Sequence, residues 1–270
     1  MFTHFFNHIQ FLSLLKINVF IILGLFSAST LCLPNENKDI KYIESIEIDN
    51  QNNRLNSTEK ALPWKLWKKN NKVSVEYREL PNKALIEIKA QVIVISSLSG
   101  ALLFLQDTTN ITHWLENVTH SEIIDTISAH ENISQTAFDS FWPIKRREVI
   151  VRSRYWQNKD LSVEVTIEDK SKEYRHLLTK GAIPISMIFA HWKISPYFSA
   201  NMSQGLNNTL IIEHVVIADP NGSLPSWLTN RMALKSMWKS LNNISEQLPK
   251  SPYQQQSLKN VIEPLAQLEP

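Results

Sequence analysis

The pattern of apolar and polar positions predicts a sheet that is followed by one long C-terminal helix. Residues 208–217 are β-branched and partly alternating, which is typical of a strand with one buried face. Asp219–Ser223 then supplies turn chemistry, because proline presets φ and Asn-Gly tolerates a positive φ. Pro225 suits a first helical position, and an apolar stripe at three-, four- and seven-residue spacings follows it: Trp227, Leu228, Leu234, Trp238, Leu241, Ile244 and Leu248. Such an amphipathic helix needs a concave partner.

The elements before this turn are mostly strands with little helix between them. The pattern predicts an amphipathic helix over Trp64 to Lys69, a second helix over Ser97 to Leu105, and a short element that opens with Trp114 and Leu115. Strands are predicted over Val73–Arg78, Leu85–Ile95, Glu122–Ala129, Ile133–Asp139, Arg147–Trp156, Leu161–Glu168 and Ile183–Ile194. Hairpin spacing of this kind makes the sheet antiparallel. The twist of such a sheet curls it, so one helix across its concave face leaves a space for a ligand.

The N-terminal segment has the layout of a secretory signal. Lys16 precedes the apolar run 17–26, and small residues follow at Ser27–Ser29. We expect export to a periplasm or secretion, with removal of roughly the first thirty residues. The alternative is an uncleaved anchor, because the mostly apolar Phe5–Leu15 extends the run. Cys32 is the only cysteine, so we expect no internal disulfide.

Composition excludes several classes of chemistry. With 43% hydrophobic and 20% charged residues the chain can form one sizeable core, and a net charge of +2 gives no reason to expect nucleic acid as a partner. The chain contains no Gly-rich phosphate loop and no Gly-x-Ser-x-Gly elbow. Its histidines lack metal-ligand spacing. We therefore expect no cofactor, no metal and no catalytic residue.

Six features of the chain carry motifs in the order of one known family: Trp67, Val73–Arg78, Trp114, Phe141–Val149, Trp192–Pro196 and Asp219–Leu228. Together they resemble the START family, the lipid-transfer domains related to the steroidogenic acute regulatory protein, and the exported chain is similar to its bacterial-type members. The last motif is the most specific. The chain departs from the family at Glu148, where Asp is usual, at Phe141, which replaces a proline, and at Ser186-Met187, where bacterial relatives often carry Arg.

The resemblance implies an α+β helix-grip fold, in which a curved antiparallel β-sheet is wrapped around a long C-terminal α-helix. The chain then divides into a signal peptide or anchor (1–32), a polar linker (33–61) with one short strand at Tyr42 to Ile48, a START-like lipid-binding domain (62–249) and a C-terminal tail (250–270). The implied function is to bind or transfer one lipid, sterol or other apolar molecule in a cavity between sheet and helix. We expect a monomer that is not an enzyme.

Four residues are candidates for the cavity lining: Met187, Phe189, Met232 and Met237. Methionine adapts to irregular ligands, and all four positions lie on elements that should face the groove. The competing interpretation is that these side chains are ordinary core packing.

Three further alternatives stay open at this point. Trp142-Pro143 beside Lys145–Arg147 is either a loop that touches a membrane transiently or, as we favour, a solvated turn whose Arg147 and Glu148 pair with neighbours on the sheet. One alternative to lipid binding is a cyclase- or hydrolase-like enzyme of the helix-grip superfamily, with His191 or His214 as general base near Glu213 or the cavity. The other alternative function is a protein-interaction module that uses the same groove.

Overall fold

The computed structural model describes residues 62–81, 84–139, 145–197 and 208–264. These all belong to one unit, Glu59–Pro270. The predicted signal segment, the linker strand at Tyr42 to Ile48 and the Trp142-Pro143 loop lie outside the described residues. In the part of the chain that is described, no helix is long and apolar enough to cross a membrane.

The described strands form one ten-stranded open sheet. The strands are β1 (Lys65–Lys69), β2 (Val73–Glu79), β3 (Ile86–Ile95), β4 (Val118–Ser128), β5 (Glu131–Phe138), β6 (Arg147–Gln157), β7 (Val163–Asp169), β8 (Ile183–Pro184), β9 (Ser186–Pro196) and β10 (Thr209–Asp219). Their order in the sheet is β1-β2-β3-β10-β9-β7-β6-β5-β4. Neighbours along this order pair antiparallel, and the short β8 pairs parallel with β6. The predicted antiparallel sheet is confirmed.

Three α-helices accompany this sheet in the described residues. They are α1 (Leu98–Gln106), α2 (Ile111–Trp114) and α3 (Ser226–Gln247), with 3₁₀ turns at Arg175–Leu177, Leu248–Lys250 and Pro252–Gln255. The helix α3 packs against β2 and β3, which confirms the α+β helix-grip fold with a long C-terminal helix. The short element predicted to open at Trp114 is in fact α2, which ends there.

The strand β1 corrects the prediction of a helix over Trp64 to Lys69. Leu66 pairs with Glu76 in an antiparallel ladder with β2. A helix this short is not stable without tertiary support, whereas pairing with β2 satisfies the backbone groups of this segment. Trp67 packs edge-on against Trp238 of α3, with 6.4 Å between ring centroids. Its aromatic side chain therefore contacts the C-terminal helix from a strand.

The turn between β10 and α3 forms as its residues predict. Asp219 Oδ1 accepts a hydrogen bond from the backbone N of Asn221 at 2.8 Å. Asn221 and Gly222 have φ angles of 52° and 88°, which Asn and Gly tolerate. A Cβ on Gly222 would also lie 3.3 Å from the side chain of Ile183, so both conformation and space favour glycine. Pro225 immediately precedes the helix as its cap residue.

The apolar stripe of α3 is buried unevenly. Leu234, Leu241 and Ile244 belong to the core, and so does Leu248 just after the helix. Trp227, which the same spacing places in the stripe, is 65% exposed, which corrects that part of the prediction.

The chain after the helix returns to α1, where Glu263 accepts hydrogen bonds from the first backbone N–H groups of that helix at 2.8 Å. A carboxylate at this end of a helix is favourable.

Candidate ligand cavity

A cavity of about 440 Å³ lies between the inner face of the sheet, helices α1 and α2, and the first two thirds of α3. This volume is within the range of small-molecule sites, which is about 300–1,000 Å³. The lining is mostly apolar and comes from strands β3 to β7, β9 and β10 as well as from the helices. Its apolar members include Ile86, Leu102, Leu105, Ile111, Val149, Val151, Ile167, Val216 and Leu241.

Three of the four residues predicted to line the cavity do so. Met187 contributes from β9, and Met232 and Met237 contribute from α3. Phe189 lies on the face of β9 that points away from the cavity, where its ring centroid is 6.4 Å from that of His191. A bulge causes this difference: Phe189 pairs with Ile217, but Met187 pairs with the next residue, Ala218. The extra residue of a bulge reverses the alternation of faces.

One wall of the cavity is polar. It includes uncharged side chains on β4, β5 and β6, namely Ser121, Asn132, Ser134, Thr136 and Ser153, and Arg154 of β6 also contributes to the lining. The hydroxyls of Ser121 and Thr136 are hydrogen-bonded to each other at 2.9 Å. The sequence interpretation missed this wall, although the i, i+2 spacing of Asn132, Ser134 and Thr136 places them on one face of β5.

The charged pair at the start of β6 has a structural role. Arg147 lines the cavity, yet its guanidinium donates to the backbone oxygens of Pro220, Asn221 and Lys145 at 2.8 to 3.1 Å. Burial lowers the pKa of Arg147 below its ordinary value. Arg147 therefore fastens the turn that precedes α3 to the sheet, so its partners are turn residues and Lys145 and not the sheet neighbours that the sequence predicted.

Glu148, the next residue, is fully buried. Its carboxylate accepts hydrogen bonds from Arg146 Nε, from Gln135 Nε2 and from the backbone N of Thr179, at 2.8 to 3.0 Å. Burial alone would raise the pKa of Glu148, but the hydrogen bonds from Thr179, Arg146 and Gln135 outweigh it and lower the pKa. The prediction that this residue pairs with neighbours is confirmed.

Three aromatic rings meet in another part of the lining. His214 of β10 pairs in register with Trp192 of β9, and their rings stack with 3.9 Å between centroids and 12° between planes. Trp114 meets Trp192 edge-on at 6.4 Å. All three rings line the cavity. For His214 the signal was present in the sequence, because Leu210, Ile212 and His214 alternate on one face of the strand.

His214 is held as a neutral side chain. Its Nδ1 lies 3.0 Å from the carbonyl oxygen of His191. Burial is the main cause that lowers its pKa, to about 4. A general base works best with a pKa near the working pH, so His214 is poorly suited to that role at neutral pH.

The two histidines proposed as general bases lie on neighbouring strands, as predicted, but on opposite faces of the sheet. The side chain of His191 points away from the cavity and donates to Glu164 at 2.9 Å. That hydrogen bond is the main cause that lowers the pKa of Glu164. Glu213 accepts from Gln91 on the same outer face at 2.6 Å, so it does not reach His214.

Among the residues that the structure describes, no group of three or more His, Cys, Asp or Glu side chains is arranged to hold a metal ion.

Comparison with known proteins gives the family. The START domain profile matches residues 46–251, which is more than half of the chain. A lipid transfer protein fragment from Xanthomonas axonopodis, described as STAR-related, is 22% identical, covers 69% of this chain and 98% of its own, and has a TM-score of 0.58. Human StAR-related lipid transfer protein 5 is 16% identical, covers 79% of this chain and 98% of its own, and has a TM-score of 0.62. No curated protein matches the sequence. On the extent of the profile match, the chain belongs to the START domain family.

Proposed function

We propose that this protein binds one lipid, sterol or other apolar molecule in the cavity under α3 and shields it from water, and that it carries such molecules between membranes. The observation that carries this proposal is the cavity itself, with about 440 Å³ enclosed by a mostly apolar lining. Removing apolar surface from water contributes about 25 cal/mol for each Å² buried. A ligand of this size would therefore be bound through burial, with no chemical step.

The proposal includes the absence of turnover. It is supported by the separation of His191 from His214 on the two faces of the sheet and by the bond that ties His214 Nδ1 to a carbonyl. We also propose that the chain is exported and monomeric and that loading involves transient contact with a membrane surface. The sequence layout of Lys16 and the apolar run after it supports the export.

The experiment compares two substitutions on adjacent residues of β10. Val216→Phe adds a ring to the cavity side, whereas Val215→Phe adds the same ring to a strand position that faces the other way. Each variant is incubated with vesicles that contain a fluorescent sterol or a fluorescent phospholipid, and the lipid bound to the recovered protein is measured. We expect about a ten-fold or larger loss of bound lipid for Val216→Phe, because overpacking a site costs 1–3 kcal/mol. Val215→Phe should bind as the unmodified protein does.

Equal binding by the two variants would contradict the proposal, and so would failure of the unmodified protein to take up either lipid. Thermal unfolding followed by circular dichroism shows whether each variant is folded. If Val216→Phe does not fold, Ser153→Phe places the same ring in the cavity from β6.

A further inference from the structure

One end of the cavity is covered by a segment that follows the region matched by the family profile. Cavity-lining residues accompany β5 along its whole length, from His130 before the strand to Asp139 after it. Both of these residues are exposed, so each lies where the lining meets the surface. Residues 258–263, which we call the strap, contact the His130 end, whereas the profile match stops at residue 251.

The strap holds two rings of the cavity wall with one side chain. Asn260 Nδ2 lies 2.9 Å from His130 Nδ1 and 2.9 Å from the hydroxyl oxygen of Tyr155. An amide nitrogen carries two hydrogens and only donates, so both hydrogens are used. The rings of His130 and Tyr155 meet edge-on with 5.0 Å between centroids, and both line the cavity. Release of Asn260 would therefore loosen the side chains that form this end of the wall.

The other polar attachments of the strap are hydrogen bonds to β6 and α1. The backbone of Ile262 exchanges two of them with the side chain of Gln157, each at 2.8 Å. Glu263 accepts from backbone N–H groups at the start of α1, and Leu258 N donates to Ser99 Oγ at 3.1 Å. The strap is thus fastened at several points along its length, on both sides of Asn260.

The strap should open more readily than α3. Within residues 258–263, all of which the structure describes, only Val261 is buried. Hydrogen bonds near the surface are exchanged for bonds to water at little net cost, and segments with few buried apolar contacts open locally first. Release of α3 would instead expose Leu234, Leu241 and Ile244, which belong to the core. Opening of the strap therefore requires less free energy.

We propose that the ligand enters and leaves the cavity beside His130 and that the strap is the gate. In the closed state Asn260 holds His130 and Tyr155 across this end. When the strap is released, the ring of His130 turns outward and the end of the cavity opens. This inference rests on the proposed function and adds how access to the same cavity is controlled.

The main test locks the strap with a covalent link. The variant combines Gln157→Cys with Ile262→Cys, because these residues are in contact and Ile262 is 54% exposed. Cys32→Ser in the same chain removes the only native thiol. A short bismaleimide joins the two introduced thiols, and N-ethylmaleimide, which modifies each thiol without joining them, gives the control. The rate of uptake is then measured from vesicles that contain a fluorescent sterol or a fluorescent phospholipid.

The linked protein should take up lipid about ten-fold more slowly than the N-ethylmaleimide control, because its gate no longer opens. A strap that only stabilises the fold predicts a different result. The link would then raise the unfolding temperature and leave the rate of uptake unchanged.

A second variant releases the strap instead of locking it. Asn260→Ala removes both hydrogen bonds to the cavity wall and should speed uptake about ten-fold, the effect of two hydrogen bonds. Lys259→Ala, at the exposed neighbouring position, is the matched control and should leave the rate unchanged. Thermal unfolding followed by circular dichroism shows that each variant is folded. This pair also tests the gate if the double-cysteine variant does not fold.

The outcomes distinguish this inference from the proposed function. Equal rates for the linked protein and its control would overturn the gate, while uptake by both would still support the proposed function. Equal rates for folded Asn260→Ala and Lys259→Ala would overturn the role of Asn260 in closing it. Uptake by none of the proteins, including the unmodified one, would overturn the proposed function and this inference with it.

Discussion

The two halves of α3 belong to the same amphipathic helix but differ in what they cover. In the second half (237–247), Ile244 is 0% exposed and packs into the core, while Leu241 at 1% exposed packs into the core and also borders the cavity. In the first half (226–236), Met232 is only partly buried and lines the cavity, and Met237 at the start of the second half does the same. The apolar stripe thus continues along the helix, while open space lies beneath Met232 and Met237 and packed side chains lie beneath Ile244. The comparison teaches that the pattern predicts an apolar face and not whether that face is filled.

The polar contacts of the helix show the same division. In the second half, Ser240 accepts from the backbone N of Glu116, Asn243 donates to the carbonyl of Trp114 and Gln247 donates to that of His113, at 2.9 to 3.2 Å. The side chains of the first half make two such bonds to other described segments, from Asn230 to the carbonyl of Ala84 at 3.1 Å and from Ser236 to the carbonyl of Glu116 at 3.5 Å. We infer that the C-terminal turns of the helix contribute most to its docking and that the turns before them face the ligand.

The largest effect should follow from a charge in the docked half. Leu241→Asp places a carboxylate at a buried position and should destabilise the domain by several kcal/mol, roughly 3–5, enough to unfold it. Lys235→Asp on the exposed side of the same helix is the control, with an expected change within about 0.5 kcal/mol. Chemical denaturation followed by circular dichroism measures both. A Leu241→Asp variant with normal stability would show that this half is not docked as described.

A matched pair of truncations sharpens the comparison. Ile244→Ala should cost about 2–5 kcal/mol of unfolding free energy, because it leaves a cavity in packed surroundings. Met232→Ala should cost about 1 kcal/mol or less, since its side chain already borders open space, but it should weaken lipid binding. Denaturation curves and lipid uptake are measured for each variant. If both variants lose the same stability and the same binding, the two halves of the helix do not differ in function.

A buried carboxylate far from the docked half separates loss of stability from loss of binding. Hydrogen bonds lower the pKa of Glu148 in the folded state, so its contribution is present above its ordinary pKa and is lost as the pH falls through the lowered value. Glu148→Gln should cost about 1–3 kcal/mol at pH 7, and the difference from the unmodified protein should shrink on acidification below about pH 4. Lipid uptake by the folded variant should be unchanged. A stability difference that is independent of pH would contradict the assignment.

The smallest effect is expected at the residue that the bulge turns away from the cavity. Phe189→Ala should change lipid binding less than about two-fold, the range expected for a site without ligand contact. Met187→Ala, two residues earlier, should reduce binding, because Met187 lines the cavity. Equal losses in the two variants would mean that β9 presents both side chains to the ligand.

Much of the fold could be predicted because its strands are long and its turn residues are specific. The hairpin spacing, the turn around Asn221-Gly222 and the stripe of α3 follow directly from local rules. The prediction of a helix at Lys65–Lys69 was wrong, because five residues are too few for periodicity to separate a helix from a strand. Its state depends on pairing with β2, and local pattern does not encode that partner.

The site was less predictable for the same reason. The three methionines were identified as candidates from their elements, but the exclusion of Phe189 depends on a bulge that only the register with β10 reveals. His214 could be placed on a buried face from alternation. Its stack on Trp192 requires the cross-strand register, which the pattern of one strand leaves open.

The most direct measurement of the central claim is NMR of the protein with ¹³C-labelled methionine methyl groups, titrated with 1-tetradecanol. Met187, Met232 and Met237 all line the cavity beneath the first two thirds of α3. We predict that one equivalent of the alcohol shifts the three methyl resonances and gives nuclear Overhauser effects between them and the alkyl chain. An alcohol that binds without such contacts, or that does not bind at all, would contradict the account.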